Sequence, residues 1–417
     1  MKVKSALVST GLALAVGLAV AGCGSQPTSS NSSPSTLKVA IIGPLSGSYA
    51  YVGQWLVDGT KVGINEVNNH GGVMGHKLTT IEQDTAGDPV DAVPAWNGLV
   101  AQNPTFEIGP TALTAEAIIG RYDAAKLPDF TVSGSDTLDH MKYQYVFRTV
   151  PGDSTMAAAM AAYAIHKNLT HALIIFASGV SSQTLIPPLT NGYVAHGGKI
   201  VENLTITPGQ TSYLSQLQKA FNNAVQPDCI FMQLDPNTSA TVFNNLQELG
   251  HLNIPIIATD NGTNPEVAKS MGLKAASQLL TGMNPTAPSG ASLQEFLKSY
   301  QQVYATENYH TFTPAIYDSV IIAALAMDAA KSTDPSAWIS KVSAVSSPPG
   351  VKCDTYAQCV ADLKAGKEID YQGASGPEDF NQYHNVFAGW TVDTWSTSGN
   401  LQPAYNVSPS TVANYFK

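Results

Sequence analysis

Short polar segments of this 417-residue chain carry the side chains that could bind a small solute. Several contain hydroxyl groups, as at Ser133 and Ser135, and others contain carboxylates, as at Asp235 and Asp260, while none contains a lysine or an arginine. Hydroxyls and the free N–H groups of a helix start can bind a carboxylate, and an aspartate without a local cation can accept hydrogen bonds from an ammonium. The combination predicts a site for a zwitterion, and amino acids are the obvious class.

The candidate ligand contacts share a position after a predicted strand or at the start of a predicted helix. They are Tyr51, Thr114, Ser133, Ser135, Ser181, Asp235 and Asp260. The same residue types cap helices, so the two serines and the two aspartates could instead be plain N-caps. Tyr51, together with Tyr49, could be a surface aromatic instead of part of a binding site.

The elements that must position these residues alternate between strand and helix. Residues 39–42 form an unbroken apolar run, typical of a parallel strand that is covered on both faces. Residues 56–67 carry apolar side chains at helical spacing, and the Asn-His-Gly-Gly run at 69–72 ends that helix before a second strand. Such a unit places its first turn at the carboxyl end of a strand, where open α/β sheets bind small molecules.

The same order returns in the second half of the chain, with a strand at 171–177, a helix over 185–195 and a strand at 200–206. Other predicted helices run from the turn at Thr111 through Tyr122, and over 236–249. This alternation predicts an α/β fold with two Rossmann-like lobes and mainly parallel sheets. The apolar helix over 313–330 is predicted to pack inside the first lobe.

The N-terminus has the features of a secretion signal. Lys2 and Lys4 precede an apolar core at 6–21, and small residues lead directly to Cys23, which resembles the bacterial lipobox. We therefore predict a signal peptide over 1–22, a lipid on Cys23 and a flexible polar tether over 23–36. These place the protein on the extracytoplasmic face of a bacterial cell membrane, anchored by lipid alone. An ordinary signal peptide with an incidental Cys23 is the alternative.

Charge and cysteine content limit the function further. The chain has a net charge of −10, and removing 1–22 would leave −12 without any basic run, so nucleic acid is not an expected partner. Cys353 and Cys359 are predicted to form a disulfide, and Cys229, within an apolar strand, a buried free thiol. No metal-binding spacing, nucleotide-binding glycine motif or nucleophile elbow is present. We therefore expect no enzyme activity, no metal and no cofactor.

Several segments together resemble the branched-chain amino-acid group of ABC-transporter solute-binding proteins, the leucine/isoleucine/valine-binding family, whose members have the two-lobed type I periplasmic-binding fold. They are KVAIIGPLSG from Lys38, NNHGGVMGHKL from Asn68, IGP at 108–110, VFRTVP at 146–151, Tyr317-Asp318, and YQGASGP from Tyr371. The resemblance implies a three-stranded hinge with crossings near Pro151, Asn284 and Phe380. Lobe 1 would then span 37–150 and 284–379, and lobe 2 would span 151–283 and 380–417.

The resemblance also assigns roles to residues and implies partners. Ser133 and Ser135 fall where the family contacts a ligand carboxylate, and Asp260 where an acidic group meets the ammonium. Leu113 stands at a position usually given to a hydroxyl, with Thr114 next to it, and Ser181 and Asp235 stand where amino-acid binders often carry tyrosines. A neutral amide, a polyamine-like cation or an aromatic ligand therefore remain alternatives to an amino acid.

The function implied is capture of an amino acid or a related small polar solute by hinge closure. The solute would pass to the permease and ATPase subunits of an ABC importer. A ligand sensor of the same fold, an amide or amino-acid receptor that feeds a regulatory system, is the alternative.

Overall fold

The computed structural model describes residues 36–286, 290–306 and 308–415. The predicted signal peptide, Cys23 and the predicted tether up to residue 35 therefore lie outside the described residues.

The described elements alternate between strands and helices in chain order. The strands are β1 Leu37–Gly43, β2 Leu78–Asp84, β3 Phe106–Thr111, β4 Asp129–Val132, β5 Val146–Arg148, β6 His171–Ala177, β7 Lys199–Ile206, β8 Cys229–Gln233, β9 Ile256–Ala258, β10 Leu280–Pro285, β11 Val351–Cys353, β12 Ile369–Tyr371, β13 Trp390–Trp395 and β14 Leu401–Val407. The helices are α1 Ala50–Asn69, α2 Pro89–Val100, α3 Ala115–Ile118, α4 Tyr122–Ala125, α5 Asp153–His166, α6 Val180–Gln183, α7 Ile186–Ala195, α8 Leu214–Phe221, α9 Pro236–Glu248, α10 Pro265–Met271, α11 Leu273–Leu279, α12 Ala291–Tyr304, α13 Thr313–Ala330, α14 Pro335–Trp338, α15 Val342–Val345, α16 Tyr356–Lys364 and α17 Pro409–Tyr415.

The first lobe is built on a five-stranded sheet in the order β2-β1-β3-β4-β5, and every pairing in it is parallel. Alternate residues of β1 point to opposite faces of the sheet. Val39 and Ile41 enter one hydrophobic core, and Ala40 and Ile42 enter another, all without exposed surface. Helices therefore cover both faces of the sheet, as the unbroken apolar run at 39–42 predicts.

Two long helices form the main core of this lobe. Cβ atoms added at Gly59 and Gly63 of α1 would lie 2.6 and 2.7 Å from the Cβ atoms of Ile316 and Val320 of α13, so only glycine allows so close a helix pair. Among the described residues, α13 alone is long and apolar enough to cross a membrane, but 83% of it is buried inside the protein. The prediction that α13 packs within the first lobe is confirmed.

The second lobe is built on a seven-stranded sheet in the order β14-β13-β10-β9-β8-β6-β7. The five strands from β10 to β7 are parallel, and β13 and β14 are antiparallel. One hydrophobic core lies on each face, with α5 and α7 in the first and α8 and α9 in the second. The predicted α/β fold with two lobes and mainly parallel sheets is confirmed.

The chain passes between the two sheets at three places. It leaves the first sheet after β5 and enters the second core with α5, and after β10 it returns to the first core with α12. Phe380 still packs on the first core, while β13 belongs to the second sheet. The three crossings match the implied hinge in order, and the residue boundaries of the lobes stay a prediction.

One predicted helix was wrong in its extent. The predicted helix through Tyr122 is interrupted, because a 3-10 turn at Ile119–Arg121 separates α3 from α4. Gly120 lies in that turn, and glycine is a poor helix former. The predicted helix over 185–195 is confirmed to within one residue as α7, with the separate short helix α6 before it.

The cysteine predictions are confirmed. Cys353 and Cys359 form a disulfide between β11 and α16, and Cys229 is a buried free thiol in β8.

Candidate functional site

A cavity lies where the two lobes meet, and its wall comes from segments of both. The first lobe contributes Tyr51 and Trp55 from the start of α1 and Thr111 and Leu113 from the end of β3. The second lobe contributes Asp153 at the first turn of α5, Ser181 in α6, Gln233 at the end of β8 and Asp260 after β9. Because parallel strands end at the same edge of each sheet, the cavity lies where such sheets bind small molecules.

Three of the seven predicted contacts, Tyr51, Ser181 and Asp260, line the cavity. Asp260 begins the 3-10 helix Asp260–Thr263, and a hydrogen bond from the Asn261 backbone N–H opposes the rise that burial causes in the pKa of its carboxyl. Asp260 thus lines the cavity and also interacts with the backbone at the start of this helix.

The other four predicted contacts lie close to the cavity without lining it. Ser133 Oγ accepts a hydrogen bond from the Ser135 backbone N–H at 3.3 Å, and Ser135 Oγ donates to Glu116 at 3.1 Å. Thr114 is buried, whereas its neighbour Leu113 reaches the wall.

Asp235 is the N-cap of α9, which was the alternative to a role in ligand binding for this residue. Its carboxylate accepts hydrogen bonds from the N–H groups of Asn237 and Thr238, each at 3.0 Å. The side chain is thereby held on its own helix.

Sequence reasoning missed Asp153, which lies directly after the VFRTVP segment and the first interlobe crossing. Its backbone N–H donates to the carbonyl oxygen of Gly134 at 2.7 Å. A Cβ atom at Gly134 would lie 1.9 Å from Asp153 Oδ1, so the carboxylate packs directly on the Ser133–Ser135 turn of the first lobe. An acidic residue opening a helix next to a crossing was the available signal.

The two cavity carboxylates, Asp153 and Asp260, repel each other electrostatically. Burial, and then the negative charge of Asp260, raises the pKa of the Asp153 carboxyl to about 7. Burial also raises the pKa of Asp260. The buried Arg148 is bound to Asp139 at 2.6 Å and to the Ser135 carbonyl oxygen at 3.0 Å, so its guanidinium is already engaged outside the cavity.

An aromatic cluster forms one side of the cavity. The Tyr51 ring meets Trp55 edge to face at 5.3 Å, and the Trp55 ring stacks on His310 at 3.4 Å with an 8° angle between planes. Phe312, just before α13, lies 6.0 Å from Trp55. Tyr51 and Trp55 are one turn apart on α1, which is a pattern that sequence could have indicated.

No group of three or more histidine, cysteine, aspartate or glutamate side chains is arranged to hold a metal ion in residues 36–286, 290–306 and 308–415. The cavity therefore offers carboxylates, hydroxyls, an amide and aromatic faces as its binding groups.

Two α/β lobes joined by three crossings around one cavity define a protein of the type I periplasmic-binding fold. Residues 36–399 match the family described as periplasmic binding protein, and the chain belongs to that family. A family of binding proteins agrees with the prediction that the chain is not an enzyme.

Individual relatives cover different shares of the chain. The leucine-specific-binding protein of Salmonella typhimurium is 30% identical over 154 residues, which are 34% of this chain and 40% of that protein. The chain thus matches less than half the length of this curated relative. The crystal structure of a leucine-binding protein from Thermotoga maritima covers 90% of this chain and 99% of its own, with a TM-score of 0.75 at 19% identity. A branched-chain amino-acid transporter substrate-binding protein from Streptococcus pneumoniae, in complex with isoleucine, covers 90% and 100%, with a TM-score of 0.70 at 20% identity.

Proposed function

We propose that this protein is the solute-binding component of an ABC importer, which captures an amino acid or a related small polar solute between its two lobes. The observation that carries the proposal is the cavity itself, with Tyr51 and Trp55 from one lobe and Asp153 and Asp260 from the other. The names of the relatives, which are leucine and branched-chain amino-acid binders, support the same class of solute.

The proposed mechanism is hinge closure. A solute that contacts both lobes makes all its contacts only when the lobes are closed, so binding shifts the equilibrium towards the closed state. Micromolar affinity corresponds to about 8 kcal/mol. Charge-assisted hydrogen bonds to Asp153 and Asp260, together with apolar contact on Trp55, are the kinds of interaction that supply such a binding free energy.

The proposed location and partners complete this function. A lipid on Cys23 would anchor the protein to the extracytoplasmic face of the membrane, and the closed form would deliver its solute to the permease and ATPase subunits. No nucleic acid or cofactor takes part in the proposal.

A thermal-shift screen over amino acids, amides and small amines tests the proposal. A ligand at about a hundred times its dissociation constant adds about 2.7 kcal/mol to the stability of the protein. A solute that raises the melting temperature should also reduce the radius of gyration in small-angle scattering, because closure compacts the two lobes.

Two variants then test whether one solute contacts both lobes. Asp260→Asn removes a charge from the second lobe and is expected to weaken binding by roughly 2–5 kcal/mol. Tyr51→Ala removes an aromatic face from the first lobe and should also weaken binding. Glu248→Gln, at the exposed far end of α9, is the matched control and should bind normally. If every hit binds all three variants equally, the cavity is not the capture site.

A further inference from the structure

The charged side chains that line the cavity are of one sign. Asp153 and Asp260 lie in its wall, and no lysine or arginine of the described residues lines it. The buried Arg148 lies behind the wall, and its charge opposes the rise in the pKa of Asp153. His310, which stacks on Trp55, is half-buried, and burial lowers the pKa of its imidazole to about 3, so it is neutral at physiological pH. Lys269 lines an adjoining cavity, but its side chain is exposed to water. A ligand carboxylate entering this cavity would meet two aspartates and no cationic side chain.

Backbone N–H groups that could bind a carboxylate are in part bound by the protein's own carboxylates. At the start of the 13-residue helix α9, the N–H groups of Asn237 and Thr238 donate to Asp235, each at 3.0 Å. In the turn after β1, the N–H groups of Leu45 and Ser46 donate to Asp84 at 2.8 and 3.2 Å. The 14-residue helix α5 carries the carboxylate of Asp153 in its first turn, so an anion bound at that helix start would lie beside a group of like charge.

One of the two serine hydroxyls next to the cavity is already used as a donor. Ser135 Oγ donates to Glu116, and Ser133 Oγ accepts from the Ser135 backbone N–H. The position between them, Gly134, packs on the carboxylate of Asp153. An anion bound at this turn would lie beside Asp153.

Two further polar groups of the wall can accept hydrogen bonds from a cation. Thr111 lines the cavity, is 3% exposed, and its hydroxyl has no hydrogen-bond partner among the described residues. The buried side-chain oxygen of Gln233 also lacks a partner. An ammonium group has three donors and no acceptor, so the two aspartates with Thr111 and Gln233 provide more acceptors than it needs.

The aromatic cluster adds to the same preference. The faces of tryptophan and tyrosine attract cations that lie within about 6 Å of the ring. Tyr51 and Trp55 stand on the same side of the cavity, together with Phe312. They can also cover an apolar or aromatic body attached to the charged group.

We infer that the cavity selects an organic cation, a protonated amine on an apolar or aromatic body, over the zwitterionic amino acid with the same side chain. The inference rests on the proposed function as a solute-binding protein and specifies the class of solute. It is carried by the pair Asp153 and Asp260, the aromatic faces of Tyr51 and Trp55, and the hydroxyl of Thr111.

Calorimetry with ligands matched in skeleton tests the inference. Leucine is compared with isoamylamine, which lacks the carboxylate, and with isocaproate, which lacks the ammonium; phenylalanine, phenethylamine and hydrocinnamate form a second set. The amine of at least one set should bind about a hundredfold more tightly than its amino acid, because a buried carboxylate without a cationic partner is costly. The acids should not bind.

The outcomes separate this inference from the proposed function. Tighter binding of leucine or phenylalanine than of the matching amine overturns the inference and leaves solute capture intact. Binding of none of the six compounds counts against both. A preference for the amine in one set, without a preference for the amino acid in the other, supports both.

Charge-neutralising variants provide a second readout. Asp153→Asn and Asp260→Asn should each weaken amine binding at least about tenfold and amino-acid binding less, because relief of the carboxylate repulsion offsets part of the lost attraction for the ammonium. Glu248→Gln should change neither affinity. Equal losses for amine and amino acid in both aspartate variants would assign these residues a merely structural role and overturn the inference.

Discussion

Asp318 in α13 is expected to be among the most sensitive positions in the first lobe. It has no exposed surface, and its carboxylate accepts four hydrogen bonds from the end of β12 and the segment that follows it. Tyr371 Oη and the Ala374 N–H donate to Oδ1 at 2.7 and 2.8 Å. The N–H and hydroxyl of Ser375 donate to Oδ2 at 2.8 and 2.6 Å. Asp318 thus holds the YQGASGP segment, which leads towards the third crossing, against the core helix.

The size of the effect follows from these four bonds. Asp318→Asn replaces one carboxylate oxygen with an NH2 group, which would face two donors and leave them without an acceptor. Each buried donor left unpaired costs about 1–3 kcal/mol. We therefore expect the free energy of unfolding to fall by about 2–5 kcal/mol.

Urea denaturation followed by circular dichroism measures this change. Tyr371→Phe removes one of the four donors and should cost about 1 kcal/mol, which calibrates the scale. Glu248→Gln is the control for loss of a carboxylate on the surface and should leave the midpoint unchanged. A loss below about 1 kcal/mol for Asp318→Asn would refute the reasoning, because it would mean that the donors of 371–375 find other acceptors.

Two further predictions concern stability. Burial raises the pKa of Glu107, which accepts a hydrogen bond from Tyr122, to about 8. As the pH rises, its carboxyl ionises in the unfolded chain at a lower pH than in the folded protein, so the free energy of unfolding should fall between about pH 4.5 and about pH 8. Glu107→Gln should remove up to about 1.4 kcal/mol per pH unit of that slope in urea titrations. An unchanged slope would contradict the raised pKa. Replacing Cys353 and Cys359 together by alanine should cost about 2 kcal/mol, since the disulfide closes a short loop, and an unchanged melting temperature in calorimetry would show that this disulfide does not stabilise the fold.

The alternation of strand and helix could be predicted from the sequence because it depends on local patterns. The four apolar residues at 39–42 place apolar side chains on both faces of a sheet, so both faces must be covered whichever elements cover them. The structure places those four residues in two cores on opposite faces. Asp235 before Pro236, with Gly250 beyond the end of α9, predicts the helix between them, and Gly250 has a φ of 76°. The disulfide was readable for the same reason, since its cysteines are six residues apart.

The residues of the candidate site could be predicted only in part from the sequence. Tyr51, Ser181 and Asp260 were predicted by their positions after strands and line the cavity, whereas Ser135 turns to Glu116, 19 residues earlier in the chain. A hydroxyl in a turn has several acceptors within reach, and the sequence does not say which of them is nearest.

The sequence by itself determined the element order, the two-lobed parallel architecture and the polar, cation-poor character of the turns. Only the tertiary structure decided which side chains meet across the cleft: it placed Asp153 opposite the Gly134 turn and near Asp260, and brought His310 onto Trp55. The physical reason is that periodicity and capping act over a few residues, whereas the field and shape of the cavity arise from residues more than a hundred positions apart that come together only when both lobes have folded.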